Sequence, residues 1–273
     1  GQGSMIQFSR YGEAIVQRSQ QNLLKQSRNS FEYHENIAII KLLNKINSGS
    51  NIKRIKDLFD STSGFGGRSQ LLQARRNHPD QIEVLKGDSI GRYEIRKTYW
   101  FAFQKENLTG RTTDPKKLGA APKILLRKTG NRIIATYDGS GIFPEQSLYF
   151  LFNKKSDVSY KYILGVINSR IMNIYYNAKL ITNKNSMAQI KKMDLDELPI
   201  AVPNLDIANE RYLHDEVENA VDLIMDLNAQ MKAMKLEREV FEKKIRAAEA
   251  QIDNLVYQIY ALSPEEISVS ADC

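Results

Sequence analysis

Between Pro203 and Pro264 the chain has no glycine or proline, and apolar residues recur through that stretch in alternating steps of four and three. The seam runs Leu213, Val217, Ala220, Ile224, Leu227, Met231, Met234, Arg238, Phe241, Ile245, Ala248, Ile252, Leu255 and Ile259, with Arg238 its one charged member. A heptad stripe of this kind is the signature of a helix that must bury one face against another helix. Unbroken, it would span roughly 70 Å at about 1.5 Å per residue. The partner could be a second polypeptide, another helix of the fold, or the same chain folded back near Asn228 to Met234. With no turn residue beyond Asn228, the sequence favours one continuous helix.

Upstream, the pattern changes. "FEYHENIAIIKLLNKINSGSN" predicts a helix from about Phe31 to Asn47, preceded by a Gln-, Ser- and Asn-rich lead-in. From Asn51 to Tyr149, short apolar or aromatic runs such as "RYEIRKTYWFAF" and "SLYFLF" are punctuated by Gly, Pro, Asn and Asp, which favours a compact β-rich domain. "YKYILGVINSRIMNIYYNAK" returns to helical spacing through Ile163, Val166, Ile167, Ile171 and Ile174. "ELPIAVPNL", with two prolines close together, marks the expected hinge. The fold class is therefore α+β, a β-rich domain followed by a long helical, coiled-coil-like arm. Residues 1–4, "GQGS", read as a cloning remnant, 5–47 as lead-in and helix, 48–200 as the β-rich domain and 201–273 as the arm.

Charge is split along the same boundary. Residues 51–140 hold 18 lysines and arginines against 9 acids, a balance of +9, whereas residues 201–273 hold 7 against 15, a balance of −8. A polyanion would meet the first segment, not the second. No run of 18 apolar residues and no signal pattern occurs, so neither a membrane span nor secretion is supported. The lone cysteine, Cys273, excludes a disulfide framework within the chain and fits a reducing, cytoplasmic setting. His34, His78 and His214 are too scattered to form a ligand-spaced pair.

Catalytic motifs fail on inspection. "STSGFGGRSQ" lacks the Lys-Ser or Lys-Thr of a phosphate loop and the spacing of a dinucleotide fingerprint; it reads as a flexible glycine loop able to approach DNA closely. Arg68 suits guanine and Gln70 adenine in a major groove. A small Mg²⁺ nuclease built on Asp80, Asp88, Asp114 and Lys116 is disfavoured by the proline between Asp114 and Lys116, which spoils strand alternation. No catalytic site and no cofactor is read in this chain. "APKILLRKTGNRIIATYDGSG" predicts two strands, "KILL" and "RIIA", joined by a tight Gly130-Asn131 turn, with Lys123, Arg127, Lys128 and Arg132 clustered about it. Four cations so close would repel unless phosphates neutralised them.

Several segments together, "VLKGDSIGRYEI", "KILLRKTGNRIIATYD", "YKYILGVINSRIMNIYY", "ELPIAVP" and "IDNLVYQIYALSPEEI", resemble the TaqI-like C-terminal specificity domain of type IIG restriction-modification methyltransferases. The resemblance runs from about Lys53 to Val269 and extends, more distantly, to one half of a type I specificity subunit. It implies that the β-rich part reads double-stranded DNA and that the helices are a spacer and docking arm for a methyltransferase domain or subunit. It further implies that adenine methylation, using S-adenosylmethionine, and cleavage, using Mg²⁺, occur elsewhere in the parent. On this reading Arg68, Gln70 and Arg92 face bases, while Lys97, Arg111, Lys116, Lys117, Arg127, Lys128 and Arg132 grip phosphates. A helix-mediated homo-oligomer is a further possible partner state. The rival reading is a coiled-coil interaction module whose head binds no DNA.

Overall fold

The computed structural model describes residues 5–8, 16–19, 37–179, 189–233 and 238–271, in two compact units, Gly1–Asn44 and Lys45–Cys273. In the first, β1 (Met5–Phe8) and β2 (Val16–Ser19) pair antiparallel, Met5 opposite Ser19. A helix, α1 (Ile37–Ser48), crosses from this unit into the second. The stretch predicted as its first turns, residues 31–36, and His34 with it, lie outside the described residues.

Within the second unit, the apolar runs form the central sheet. β4 (Asp60–Ser63), β11 (Lys123–Arg127), β12 (Ala135–Asp138) and β14 (Leu148–Phe152) make an antiparallel sheet in the order β12-β11-β14-β4. Leu125 lies opposite Phe150 and faces a core with Phe65, Val84, Leu85, Ile90, Phe101, Leu118 and Leu148. The alternate residues Ile124 and Leu151 are also fully buried, on the side where α4 (Tyr160–Asn168) packs. A strand covered on both faces reads as a continuous apolar run, hence "KILLR" and "LYFLF".

The first core face is closed by smaller sheets. β6 (Gln81–Leu85) pairs antiparallel with β9 (Tyr99–Ala102) and parallel with β13 (Phe143–Pro144). β5 (Phe65–Gly67) pairs with β10 (Leu108–Arg111), and β7 (Ile90–Gly91) with β8 (Glu94–Ile95). The glycine segment is thus strand, not flexible loop. At Gly64 the chain passes from the central sheet into the β5–β10 pair, and a Cβ there would sit 2.2 Å from the Pro144 carbonyl oxygen and 2.4 Å from that of Glu145. Both neighbours are backbone and cannot step aside, so Gly64→Ala should cost about 3 kcal/mol, read as a lower urea midpoint.

The sequence reading needs correcting in three further places. The seam does not form one long helix: α7 (Ala208–Ala233) and α8 (Arg238–Ile259) pack on each other as a hairpin. Leu213, Val217, Ile224, Leu227, Phe241, Ala248 and Ile252 are all buried, each half of the stripe finding its partner in the other. Arg238, the seam's one charge, starts the second helix and pairs with Glu242 in solvent. Nor is "ELPIAVP" a hinge: after α6 (Lys192–Asp196), β15 (Pro199–Ala201) pairs with β3 (Ile52–Arg54) ahead of the short α2 (Ile55–Leu58). Tyr162 donates to the Ala201 carbonyl at 2.7 Å and Tyr260 to that of Pro199 at 2.7 Å, which locks the segment. The boundary expected at residue 200 therefore falls inside a buried strand.

The tight Gly130-Asn131 turn is the third correction. Residues 128–134 connect β11 to β12, and both sides of Lys128's backbone are held from afar: its N–H donates to Ser147 O, and its carbonyl accepts from Ile190 N. Asn168, at the end of α4, pairs with Ala135 through both ends of its amide, and Asn173 on α5 (Arg170–Lys179) accepts from Ile133 N. These side chains close the β12 edge of the sheet. A final helix, α9 (Pro264–Ala271), is tied back through Glu266 and Lys45 at 2.6 Å. Among the described residues no helix is long and apolar enough to cross a membrane.

Candidate nucleic-acid interface

The opposite edge strand, β4, carries only polar residues, "DSTS", all half-buried. Beside it lies a cleft of about 400 Å³ lined by Lys56, Phe59, Asp60, Ser61, Thr62, Lys117, Phe152, Lys155, Lys192 and Asp196. Four lysines against two aspartates give it a positive balance. Three of those lysines are partnered: Lys56 with Glu197 at 2.5 Å, Lys155 with Asp60 at 2.6 Å and Lys192 with Asp196 at 2.6 Å. Hydrogen bonds from Asn153 and Lys155 hold the Asp60 carboxyl below its ordinary value. Ser61 donates to Asp196 as well.

Lys117 and its neighbour Lys116 make no ion pair among the described residues. They ride on a one-turn helix, α3 (Pro115–Leu118), whose N-cap Asp114 accepts from Lys116 N at 2.9 Å with Pro115 at the first position. This helix is anchored from below. Lys123 is wholly buried, and its ammonium donates to Leu118 O at 3.0 Å, Ala120 O at 2.9 Å and the buried Asp138 carboxylate at 2.9 Å. Burial pulls the Lys123 pKa down, while Asp138 opposes the shift.

Arg111 arrives from the other side. The β5–β10 register slips between Leu108 and Gly110, and Arg111 then adopts a φ of +66°, a left-handed conformation uncommon outside glycine. The Arg111 charge is felt at Lys128. Burial first, and the Arg111 charge second, push the Lys128 ammonium down to about 8. Lys128 donates to Ser63 Oγ at 2.6 Å and sits 4.4 Å over the Tyr149 ring. Thr62 and Thr112 join β4 to this corner at 2.9 Å. Arg111, Lys116, Lys117 and Lys128 thus gather along one sheet edge.

The other expected site residues lie elsewhere. Lys123 is at the far end of β11, so the cations of that segment do not cluster about a turn. Arg92 is engaged internally: its guanidinium donates to Asn168 O at 3.0 Å and pairs with Glu249 of α8 at 3.1 Å. Arg132 sits beside it, where burial and the Arg92 charge lower its pKa. Arg92 ties the β-rich part to the helical hairpin, and a base-reading role for it is set aside. Arg127 has a buried Nε without a hydrogen-bond partner among the described residues. Lys97 pairs with Asp88 at 2.9 Å, and Lys97 and Lys86 flank the Tyr99 ring at 5.2 and 4.3 Å. Arg68 and Gln70 are exposed at the start of a long loop after β5.

Sequence reasoning missed Lys56, Lys155 and Lys192 because they come from distant segments; the all-polar strand "DSTS" was the one local signal. The nuclease reading finds no support in the geometry, since Asp88 also accepts from Tyr99 at 2.7 Å and Asp114 is a helix cap. His214, Asp215 and Glu218 offer oxygen and nitrogen atoms close together, but His214 Nε2 accepts from Ser159 N at 3.0 Å and Nδ1 meets Asp215 at 2.8 Å. Both ring nitrogens are occupied, and the ring stacks on Tyr162.

Comparison with known proteins adds to this geometry. Residues 82–200 match the TaqI-like C-terminal specificity domain. A Methanocaldococcus jannaschii protein named as a type II restriction enzyme and methyltransferase is 26% identical over 233 residues, 80% of this chain. The chain spans about a fifth of that relative's length, 18%. Among solved structures, the type IIL restriction-modification enzyme MmeI in complex with DNA superposes with a TM-score of 0.55 at 11% identity, over 98% of this chain and 40% of that one. That likeness is one of fold. The HsdS subunit of Thermoanaerobacter tengcongensis aligns at a TM-score of 0.41 and 13% identity over 82% of this chain and 50% of its own.

Proposed function

We propose, from the TaqI-like specificity domain that this chain carries over residues 82–200, that it binds double-stranded DNA site-specifically within a restriction-modification enzyme. The match carries the reading, and the charge split supports it. In this reading Arg111, Lys116, Lys117 and Lys128 face phosphates along the β4 edge. Phosphate contacts fix register on the duplex, while base contacts supply sequence. The acidic helical hairpin, α7 and α8, is the docking arm for a methyltransferase domain or subunit.

Methylation of adenine and cleavage belong to that other part of the parent protein, acting in the cytoplasm. S-adenosylmethionine and Mg²⁺ belong there too; of the acids that sequence offers as Mg²⁺ ligands, Asp88 is engaged with Lys97 and Tyr99 and Asp114 with a helix N-terminus. This chain's part is to hold the duplex so that the target base can be extruded into a pocket elsewhere.

Selection of a randomised duplex pool on the purified chain at low salt, followed by sequencing, tests the reading. An enriched motif whose binding weakens steeply with salt is the expected result. Absence of duplex binding would favour the interaction-module alternative.

A further inference from the structure

The segment "RSQLLQARRNHPDQ", Arg68 to Gln81, is rich in side chains that hydrogen-bond to bases, and the structure makes it stiff. Arg68 N donates to Asn107 O at 3.1 Å. A 3₁₀ turn, Ser69–Leu71, follows, and Gln73 then pairs with Trp100 through both backbone groups, at 3.0 and 2.8 Å. The chain leaves the β9 edge there and returns as β6 at Gln81. Gln81, itself buried, donates to the Gln73 side chain at 2.9 Å and accepts from Asn77 N at 2.9 Å and His78 N at 3.2 Å. Arg76 lies 5.2 Å over the Trp100 ring and donates from Nε to His78 O at 3.3 Å and from Nη2 to Pro79 O. His78 in turn faces Asp80 at 3.4 Å.

Those contacts use up Arg76, Gln81 and the backbone of the tip. Two exposed side chains at the tip, the Arg75 guanidinium and the Asn77 amide, make no hydrogen bond or ion pair among the described residues. Arg is the residue that forks onto guanine O6 and N7, and Asn the one that forks onto adenine N6 and N7. We propose that the loop of residues 68–80 is the base-reading element, with Arg75 and Asn77 as its specificity-determining residues and Arg76 on Trp100 as the brace that holds them.

The placement suits that role. β5 runs from Phe65, opposite Arg111, to Gly67, opposite Leu108, before entering the loop. The loop's foot is therefore about 10 Å from the phosphate-facing corner, three residues at about 3.3 Å each. A major groove is about 12 Å wide and admits a two-stranded ribbon, so one duplex can meet both. A reader already ordered by its own hydrogen bonds loses less entropy on binding than a mobile loop.

This inference rests on the DNA reading above, and the test separates the two. Duplex selection is run with the wild-type chain and with Arg75→Gln and Asn77→Ala, both changes at exposed positions; matched urea midpoints verify folding. Each variant is expected to lose preference at one base pair and to bind the wild-type motif about 5- to 150-fold more weakly, with an unchanged salt slope. An unchanged motif and affinity in both variants would overturn the assignment while leaving site-specific binding intact. Equal weakening on every sequence with a shallower salt slope would also overturn it, because Arg75 would then be a phosphate contact. A wild-type chain that selects no motif would overturn the recognition reading itself.

Discussion

Asp138→Asn should destabilise the fold by about 3–5 kcal/mol, the cost of leaving a buried charge without its partner. In the native chain Lys123 uses its ammonium on Asp138 and two carbonyls, and Asp138 accepts from Ser140 N at 2.8 Å and Ile142 N at 3.0 Å. Both side chains are fully buried. With a neutral amide in place of the carboxylate, the ammonium keeps its burial penalty and loses the opposing charge, so its folded-state pKa falls further. Between that pKa and the unfolded value near 10.5 the folded state binds fewer protons than the unfolded one, and stability rises with pH. The deficit of Asp138→Asn should therefore narrow toward pH 10. Lys123→Met leaves the buried carboxylate without its cation instead and should cost a similar amount. Urea unfolding at pH 5, 7 and 9.5 reads both; a small, pH-independent loss in each would refute this account of the pair. Because Lys123 holds the carbonyls of Leu118 and Ala120, either change should also loosen the helix that presents Lys116 and Lys117.

Much of the architecture was legible because the relevant signals are local. Continuous apolar runs marked β11 and β14, and a period of 3.6 marked α4. The heptad seam was legible as a seam, but a stripe that pairs with itself has the same spacing as one that pairs with a stranger. What decides between them is whether the reversal can be made, and no glycine or proline announced it. The prolines of "ELPIAVP" misled for a related reason. Proline is tolerated at the first residue of a strand, and two tyrosines distant in sequence, one in α4 and one just past α8, supply the hydrogen bonds that hold it.

The candidate site was legible by residue type and not by engagement. Arg92 meets Glu249, and Lys128 meets Ser63, across separations that composition cannot encode. Lys123 looks in sequence like one more cation of a basic strand, yet its side chain is wholly buried. The long-range partner decides whether a cation is structural or available, and only the fold supplies that partner.

That distinction gives the second large expectation, on the salt dependence of DNA binding. Arg111, Lys116 and Lys117 make no ion pair among the described residues, so each can release a counterion's worth of charge on meeting a phosphate. Replacing all three by alanine should make the slope of log affinity against log salt shallower by about 2.7, at about 0.9 per lost contact. Between 50 and 200 mM salt the wild-type chain would then lose about 40-fold more affinity than the variant. Lys56, Lys155 and Lys192 line the cleft with Lys117 but already face carboxylates, and the matching triple variant should change the slope by less than half as much. Lys128 adds a pH signature. With its pKa pushed down to about 8, it sheds its proton as pH rises through that value, and an uncharged amine no longer attracts phosphate. Affinity should fall between pH 7 and 9 in the wild-type chain and hold steadier in Lys128→Ala. Titrations of a selected duplex across salt and pH would check both, and equal slopes for the two triple variants would remove the β4 edge from the interface.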